Sequence, residues 1–160
     1  MACFSAEGTL GVVAAAGTAA TILYVYAQAS PTRRAKLYEL NAGTKGAGWD
    51  DFAASWLVRR GTAVGAGADA VTPVALDPAD GAATWAALEN YVAGTDTEPT
   101  YASTLLSYSH ALRLPVKWQA IQPGREIIAP ATQNNGTGIS INKSGGVFVD
   151  DADACFLWEE

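Results

Sequence analysis

Apolar and polar side chains alternate with a period of two along much of the chain, which is the pattern of half-buried β-strands. The longest such run, residues 104–112, places four apolar or ring-bearing side chains on one face: Leu106, Tyr108, His110 and Leu112. Residues 54–58 group Ala54, Trp56 and Val58 in the same way. The run from Thr21 to Tyr26 is rich in β-branched and aromatic residues and is typical of a buried strand.

Turn signals divide these runs into short strands. Gln122-Pro123-Gly124-Arg125 supplies Pro and Gly at the central positions of a type II turn. The glycine-rich residues 43–48 predict a hairpin loop, and residues 61–78, rich in Gly, Ala, Thr and Pro, predict a long loop. Because eight or nine short antiparallel strands result, we predict an all-β fold, either a β-sandwich or a jelly-roll-like barrel.

One segment departs from this pattern and predicts a short helix near residues 78–92. Asp77 is suited to the N-cap position and Pro78 to the first helical position. Four apolar side chains then recur at spacings of three and four: Trp85, Leu88, Tyr91 and Val92. Such spacing gives one or two amphipathic turns.

Composition narrows the classes of partner. The 160 residues include 49% hydrophobic but only 16% charged residues, with a net charge of −6. Nucleic-acid binding depends on Lys and Arg, so ten basic residues against sixteen acidic ones predict no nucleic-acid partner. Residues 8–30 are uncharged but rich in Ala, Gly and Thr, so their hydropathy is weak and we predict no membrane partner. A chain with so few charges is expected to bury apolar surface in interfaces as well as in a core.

The residues that carry chemistry are sparse. The single histidine, His110, lies inside the best alternating strand, and no Gly-x-Ser-x-Gly elbow accompanies it. Zinc would need more His and Cys ligands, and the acidic run Asp150 to Asp153 lacks the order of a calcium loop. We therefore predict no catalytic, cofactor or metal site and no enzyme. Cys3 and Cys155 allow one bridge between the chain ends or two free thiols, and we favour free thiols.

Aromatic residues are the remaining candidates for function. Exposed Trp and Tyr anchor protein interfaces or stack on sugar rings. We predict six interface candidates: Tyr24, Tyr26, Trp49, Trp85, Tyr91 and Trp158. Trp49 and Trp85 lie beside predicted loops and are expected to be the exposed ones. A carbohydrate-binding, lectin-like β-sandwich is the alternative function that these two residues keep open.

Several short motifs occur in an order that resembles small structural proteins of tailed bacteriophages. They are Ser30 to Leu40, Val71-Thr72-Pro73, Ala75 to Asp80, Glu98-Pro99-Thr100-Tyr101, Trp118 before Pro123-Gly124-Arg125-Glu126 and Pro130, and Phe156 to Glu160. Together they span residues 30–160, and they resemble the head decoration or cement (auxiliary capsid) family. None of these motifs is catalytic.

The resemblance implies a virion protein on the capsid surface, made in the host cytoplasm, that forms a homotrimer and binds the major capsid protein. The resemblance does not cover residues 1–29. We predict that they form an N-terminal β segment or arm, able to exchange with a neighbouring copy, before a single β-sandwich domain at 30–160. A phage tail or connector component is a further alternative.

Overall fold

A computed structural model describes residues 2–11, 19–29, 33–45, 53–92, 95–111, 114–143 and 151–160. Trp49, Asp150 and Leu112 lie outside these residues, as do residues 46–48 of the predicted hairpin loop at 43–48. For His110 the backbone is described but the side chain is not.

The described residues form twelve β-strands and no helix. The strands are β1 (Cys3–Leu10), β2 (Ala20–Ala27), β3 (Ala35–Lys45), β4 (Ala53–Ala63), β5 (Asp69–Val71), β6 (Val74–Ala75), β7 (Trp85–Glu89), β8 (Thr100–Ala111), β9 (Val116–Gln119), β10 (Ile127–Ala129), β11 (Gly136–Lys143) and β12 (Asp151–Glu159). All of their described pairings are antiparallel.

The strands form two open sheets that pack face to face, so the β-sandwich prediction is confirmed. Sheet A has the order β10-β3-β12-β1-β6, with β9 also paired to β3. Sheet B has the order β5-β7-β2-β11-β4-β8. Strands β1 and β12 pack over β2, and β1 also packs over β7.

The core follows directly from the alternation. In β12 every second residue from Ala152 to Trp158 is buried, and in β1 the buried series runs from Phe4 to Leu10. The Phe4 and Trp158 rings lie across the two strands with centroids 6.0 Å apart. From sheet B, Trp56 and Val58 are fully buried. The core therefore lies between the sheets, where these inward rows meet.

The predicted helix near 78–92 is wrong. Residues 85–89 form β7, which pairs with β2 in sheet B, and Asp77 to Asp80 form a turn in which Asp80 N donates to the Asp77 carbonyl. Trp85 and Ala87 are buried at a period of two, which is the strand pattern. The spacings of three and four among the larger apolar residues had indicated a helix instead. Asn90, with φ of 61°, then turns the chain out of the strand.

Of the turn and loop predictions, one is confirmed and two are wrong in part. Gly124 has φ of +86° and Arg125 N donates to the Gln122 carbonyl at 3.1 Å, so the type II turn is confirmed. The long loop predicted at 61–78 is wrong in part, because β4 continues to Ala63 and two short strands, β5 and β6, follow. The predicted hairpin loop at 43–48 is wrong for residues 43–45, which belong to β3, and its residues 46–48 lie outside the described residues.

The N-terminal residues belong to both sheets. β1 pairs with β12 and β6, and β2 lies between β7 and β11. Exchange of this segment between copies, and the boundary at residue 30, stay predictions. Among the described residues, no helix has the length and apolarity needed to span a membrane.

Both cysteines are free and half-buried. Cys3 lies opposite Glu159, whereas Cys155 lies opposite Glu7 on the same strand pair. Four residues of strand separate the two positions, which is about 13 Å at the usual rise per residue. Disulfides require Cα atoms within about 7 Å, so the pairing register keeps the two thiols apart.

Candidate interaction surface

The long edge of sheet B and a broken edge of sheet A lie on the same side of the sandwich. Strand β12 packs over β2, and β3 and β10 continue sheet A in the direction in which β11 and β4 continue sheet B. A hydrogen bond from Arg60 Nη2 in β4 to the Ile128 carbonyl in β10, at 3.1 Å, ties the two margins together. We call this margin the open side; it comprises β8, β9, β10, Leu114 and residues 120–126.

Strand β8 is the main polar feature of the open side. It has 12 residues, and within the described part of the chain only β4 pairs with it. It contains Ser, Thr, Tyr, Leu, Ala and His but no Asp, Glu, Lys, Arg or Pro. An edge strand without a neighbour presents unpaired N–H and C=O groups, and charges and prolines are the usual protection against further pairing.

Two apolar side chains add to the open side. Leu114, which precedes β9, is 57% exposed, and Ile121, which follows β9, is 91% exposed. Residues 120–126 interrupt the edge of sheet A because β9 and β10 both pair with β3. Beside Ile121, a shallow groove of about 400 Å³ runs between Trp118 and Arg125. Fully burying an Ile side chain contributes about 1.5–3 kcal/mol, so these residues are suited to a protein contact.

The outer face of sheet B carries a polar cluster, where the segment leading into β8 crosses β2. Glu98 accepts hydrogen bonds from Thr21 N, at 3.0 Å, and from Thr21 Oγ1. The Thr21 hydroxyl also lies 2.7 Å from the Tyr101 hydroxyl and 3.2 Å from Ser140 Oγ. Arg59 lies over the Tyr101 ring, 3.7 Å from its centroid, and donates to Ser140 Oγ at 2.5 Å.

Burial governs the electrostatics of this cluster. Desolvation raises the pKa of Glu98, against the opposing effect of its hydrogen bonds from Thr21 and the charge of Arg59. Desolvation likewise raises the pKa of Tyr101 to about 12. The polar groups of the cluster bind one another, so its chemistry is that of a network that fastens the 95–101 segment to sheet B. Arg59 Nε is buried and has no hydrogen-bond partner among the described residues.

Three strand glycines make room for the tyrosines beside this cluster. A Cβ at Gly61 would lie 2.2 Å from the Tyr24 hydroxyl oxygen, and one at Gly138 would lie 2.4 Å from that of Tyr101. A Cβ at Gly136 would lie 2.9 Å from Tyr24 Cζ. Glycine inside a strand commonly marks such a close approach. Tyr24 is fully buried as a result.

The sequence-predicted interface residues lie mostly in the interior. Tyr24, Trp85, Tyr91 and Trp158 are each at most 1% exposed, and Tyr26 is half-buried. A side chain without accessible surface offers no contact area to a docking partner. Of the five described candidates, only Tyr26 therefore retains surface, and Trp49 lies outside the described residues.

The expectation that Trp85 is exposed is wrong. It lies on the inner face of β7 opposite Ala27, and its indole nitrogen donates to the Arg33 carbonyl at 3.3 Å. A ring that is 1% exposed has no free face for a sugar, so Trp85 does not support the lectin-like alternative. Sequence reasoning missed Ile121 and Leu114 instead, because single apolar residues in turns carry no periodic signal.

The remaining candidates for chemistry lie on separate strands. His110 lies opposite Ala54 at the end of β8, and Asp151 and Asp153 lie in β12, which is paired on both sides. No group of three or more His, Cys, Asp or Glu residues that could hold a metal ion occurs among the residues that the structure describes. A groove of about 390 Å³ on the outer face of sheet A includes Glu7, Lys117 and Cys155. Burial and the nearby carboxylates raise the pKa of Cys155, which disfavours its reactive thiolate.

Comparisons of this chain with family models, with curated proteins and with solved structures gave no match.

Proposed function

We propose that this protein is a non-enzymatic structural component of a tailed-phage virion, a capsid decoration or cement protein that binds the major capsid protein through its open side. The motif order between residues 30 and 160 supports the class of protein. The exposed Ile121 and Leu114 beside the uncharged edge of β8 support the surface. Ile121, at 91% exposure, is the main observation in support, because a large and exposed apolar side chain gains the most free energy when a partner buries it.

The stabilising mechanism is additive. A copy bound only to the assembled capsid shifts the equilibrium towards assembly by mass action. Each contact on the open side is small, and burying Leu114 and Ile121 contributes about 3–6 kcal/mol in total at most. Repetition over a symmetric shell multiplies that contribution, so a single contact does not need to be strong.

The first test uses the phage whose genome encodes this chain. Particles are purified from cultures with and without the gene, and their heads are heated while DNA release is followed. We expect the chain in the gradient-purified particles and a lower release temperature without the gene. Absence of the chain from purified particles would contradict the proposal.

A pair of matched variants tests the surface. Leu114→Lys with Ile121→Lys places two charges on the open side. The control, Val74→Lys with Leu76→Lys, places two charges at the opposite edge of sheet A, on and just after β6. There Val74 is 61% exposed and Leu76 is 49% exposed. We expect the first variant to bind gene-deleted particles at least about tenfold more weakly and the second to bind normally. Equal binding of the two variants would rule out the open side.

A further inference from the structure

The described edges of the two sheets differ in length and charge. Sheet B ends in β5, which has 3 residues and includes Asp69, and in β8, which has 12. Sheet A ends in the 2-residue β6 and in β9 and β10, which have 4 and 3 residues. β8 is therefore the one described edge that is both long and uncharged.

The second half of β8 is regular. The register shifts in its pairing with β4 fall between Val58 and Ala63, opposite the part of β8 that precedes Leu106. From Leu106 to Ala111 the two strands pair residue for residue. Bulges twist an edge away from further pairing, so this last segment is the regular part of β8, and β4 is its one partner strand among the residues that the structure describes.

We infer that residues 106–110 of β8 pair antiparallel with the same residues of a second copy of this chain, across a two-fold axis at Tyr108. In such a pair the residue on the axis faces its own copy, and Ser107 faces Ser109 of the second copy. The two B sheets then become one continuous sheet of twelve described strands, since each contributes six. Self-pairing of this kind is isologous and closes after two copies.

The absence of charge on β8 makes a second copy an acceptable occupant. The chain carries a net charge of −6, which opposes self-association, so a contact between two copies must add no further repulsion between like charges. At a two-fold axis the residue on the axis meets its own copy, so a charged residue there would meet a like charge, and like charges directly opposite destabilise a sheet. β8 has none. The chain already contains a serine pair of the kind that would form, between Ser55 Oγ and Ser109 Oγ at 3.0 Å.

This inference goes beyond the proposed function and does not depend on it. Two-fold pairing predicts dimers and larger assemblies of even copy number, whereas the resemblance implies a homotrimer. A chain that is present in purified particles but shows no dimer in solution would overturn the inference and leave the proposed function intact. A chain that forms a dimer in solution but is absent from purified particles would support the inference and contradict the proposed function.

The test is a charge-swap pair. Ser107→Lys with Ser109→Lys, and Ser107→Asp with Ser109→Asp, each place like charges opposite each other in the pair. Native mass spectrometry and sedimentation follow each variant, and the equimolar mixture, up to about 100 µM. We expect a dimer for the unaltered chain, at least about tenfold weaker pairing for each variant, and a mixed dimer restored on combining them.

The control variant Thr72→Lys with Thr132→Lys adds the same charge at exposed positions outside β8, and we expect it to dimerise normally. A monomeric unaltered chain, a strict trimer, or a mixture that pairs no better than either variant would overturn the inference. Hydrogen exchange on the unaltered chain tests the pairing without substitution. Protection of alternate amides within residues 106–110 must rise with protein concentration, and unchanged protection in a dimer would also overturn the inference.

Discussion

Replacing Gly138 with alanine tests the close approach of the tyrosines to sheet B. The new Cβ would lie 2.4 Å from the Tyr101 hydroxyl oxygen and 2.9 Å from Tyr24 Cδ2. Real Cβ atoms essentially never show contacts this short, so at least one ring must move. Tyr24 is fully buried, and the Tyr101 hydroxyl lies 2.7 Å from Thr21 Oγ1. Movement of either ring therefore disturbs packing or a hydrogen bond.

The expected loss follows from these contacts. Overpacking of this kind costs about 1–3 kcal/mol, and loss of the Tyr101 to Thr21 hydrogen bond costs about 0.5–1.5 kcal/mol. Alanine in place of glycine also lowers the conformational entropy of the unfolded chain, which raises the free energy of unfolding by about 0.4–1 kcal/mol. The net decrease in the free energy of unfolding for Gly138→Ala is about 2 kcal/mol. Gly43→Ala, in β3 with no atom within 4 Å of its Cβ, is the matched control and is expected to gain about 0.4–1 kcal/mol.

Urea unfolding followed by tryptophan fluorescence measures both variants, with unchanged slopes confirming that only stability has changed. Tyr101→Phe completes the test, because it removes the oxygen that the new Cβ would meet. In a double-mutant cycle, Gly138→Ala should cost less in the Tyr101→Phe background than alone, with a coupling of about 0.5–3 kcal/mol. If Gly138→Ala is as stable as Gly43→Ala, the proposed contact between glycine and tyrosine is refuted.

Two further predictions concern pH and burial. Because burial raises the pKa of Glu98 above its ordinary value of 4.5, this group stabilises the fold fully below that pH and loses its contribution as pH rises through the raised pKa. Urea unfolding of Glu98→Gln across this range should lack that loss, and identical pH profiles would contradict the assignment. Leu40→Ala, at 1% exposure, should cost about 2–5 kcal/mol, whereas Leu114→Ala, at 57% exposure, should cost less than about 0.5 kcal/mol; equal unfolding midpoints would refute this.

Periodicity predicted the long strands because burial on one face leaves a direct record in the sequence. Ala54, Trp56 and Val58 share the inner face of β4 as expected. Periodicity failed at β7, where the spacing of three between Trp85 and Leu88 fits a helix, whereas the strand buries Trp85 with Ala87. The pairing of this segment with β2 fixes it as a strand. Strands as short as β6, with 2 residues, are too brief to produce a periodic signal.

The polar cluster was beyond sequence reasoning for a different reason. Thr21, Arg59, Glu98 and Ser140 are far apart in the chain, and only the strand register brings them together. The available signal was the glycine at 138, between the β-branched Thr137 and Ile139, which indicates that a large group approaches the strand. Predicting which group requires the pairing of β11 with β2 and β4.

The position of β12 governs when sheet A can form during synthesis. This strand comes last along the chain, yet it lies between β3 and β1. Until the ribosome has made residues 151–159, β1 and β3 lack their shared neighbour and expose their inward apolar rows. Sheet B, whose strands all come earlier, can assemble first and provide a surface for β1. We therefore expect late, slow closure of sheet A, in keeping with contacts of very high sequence separation.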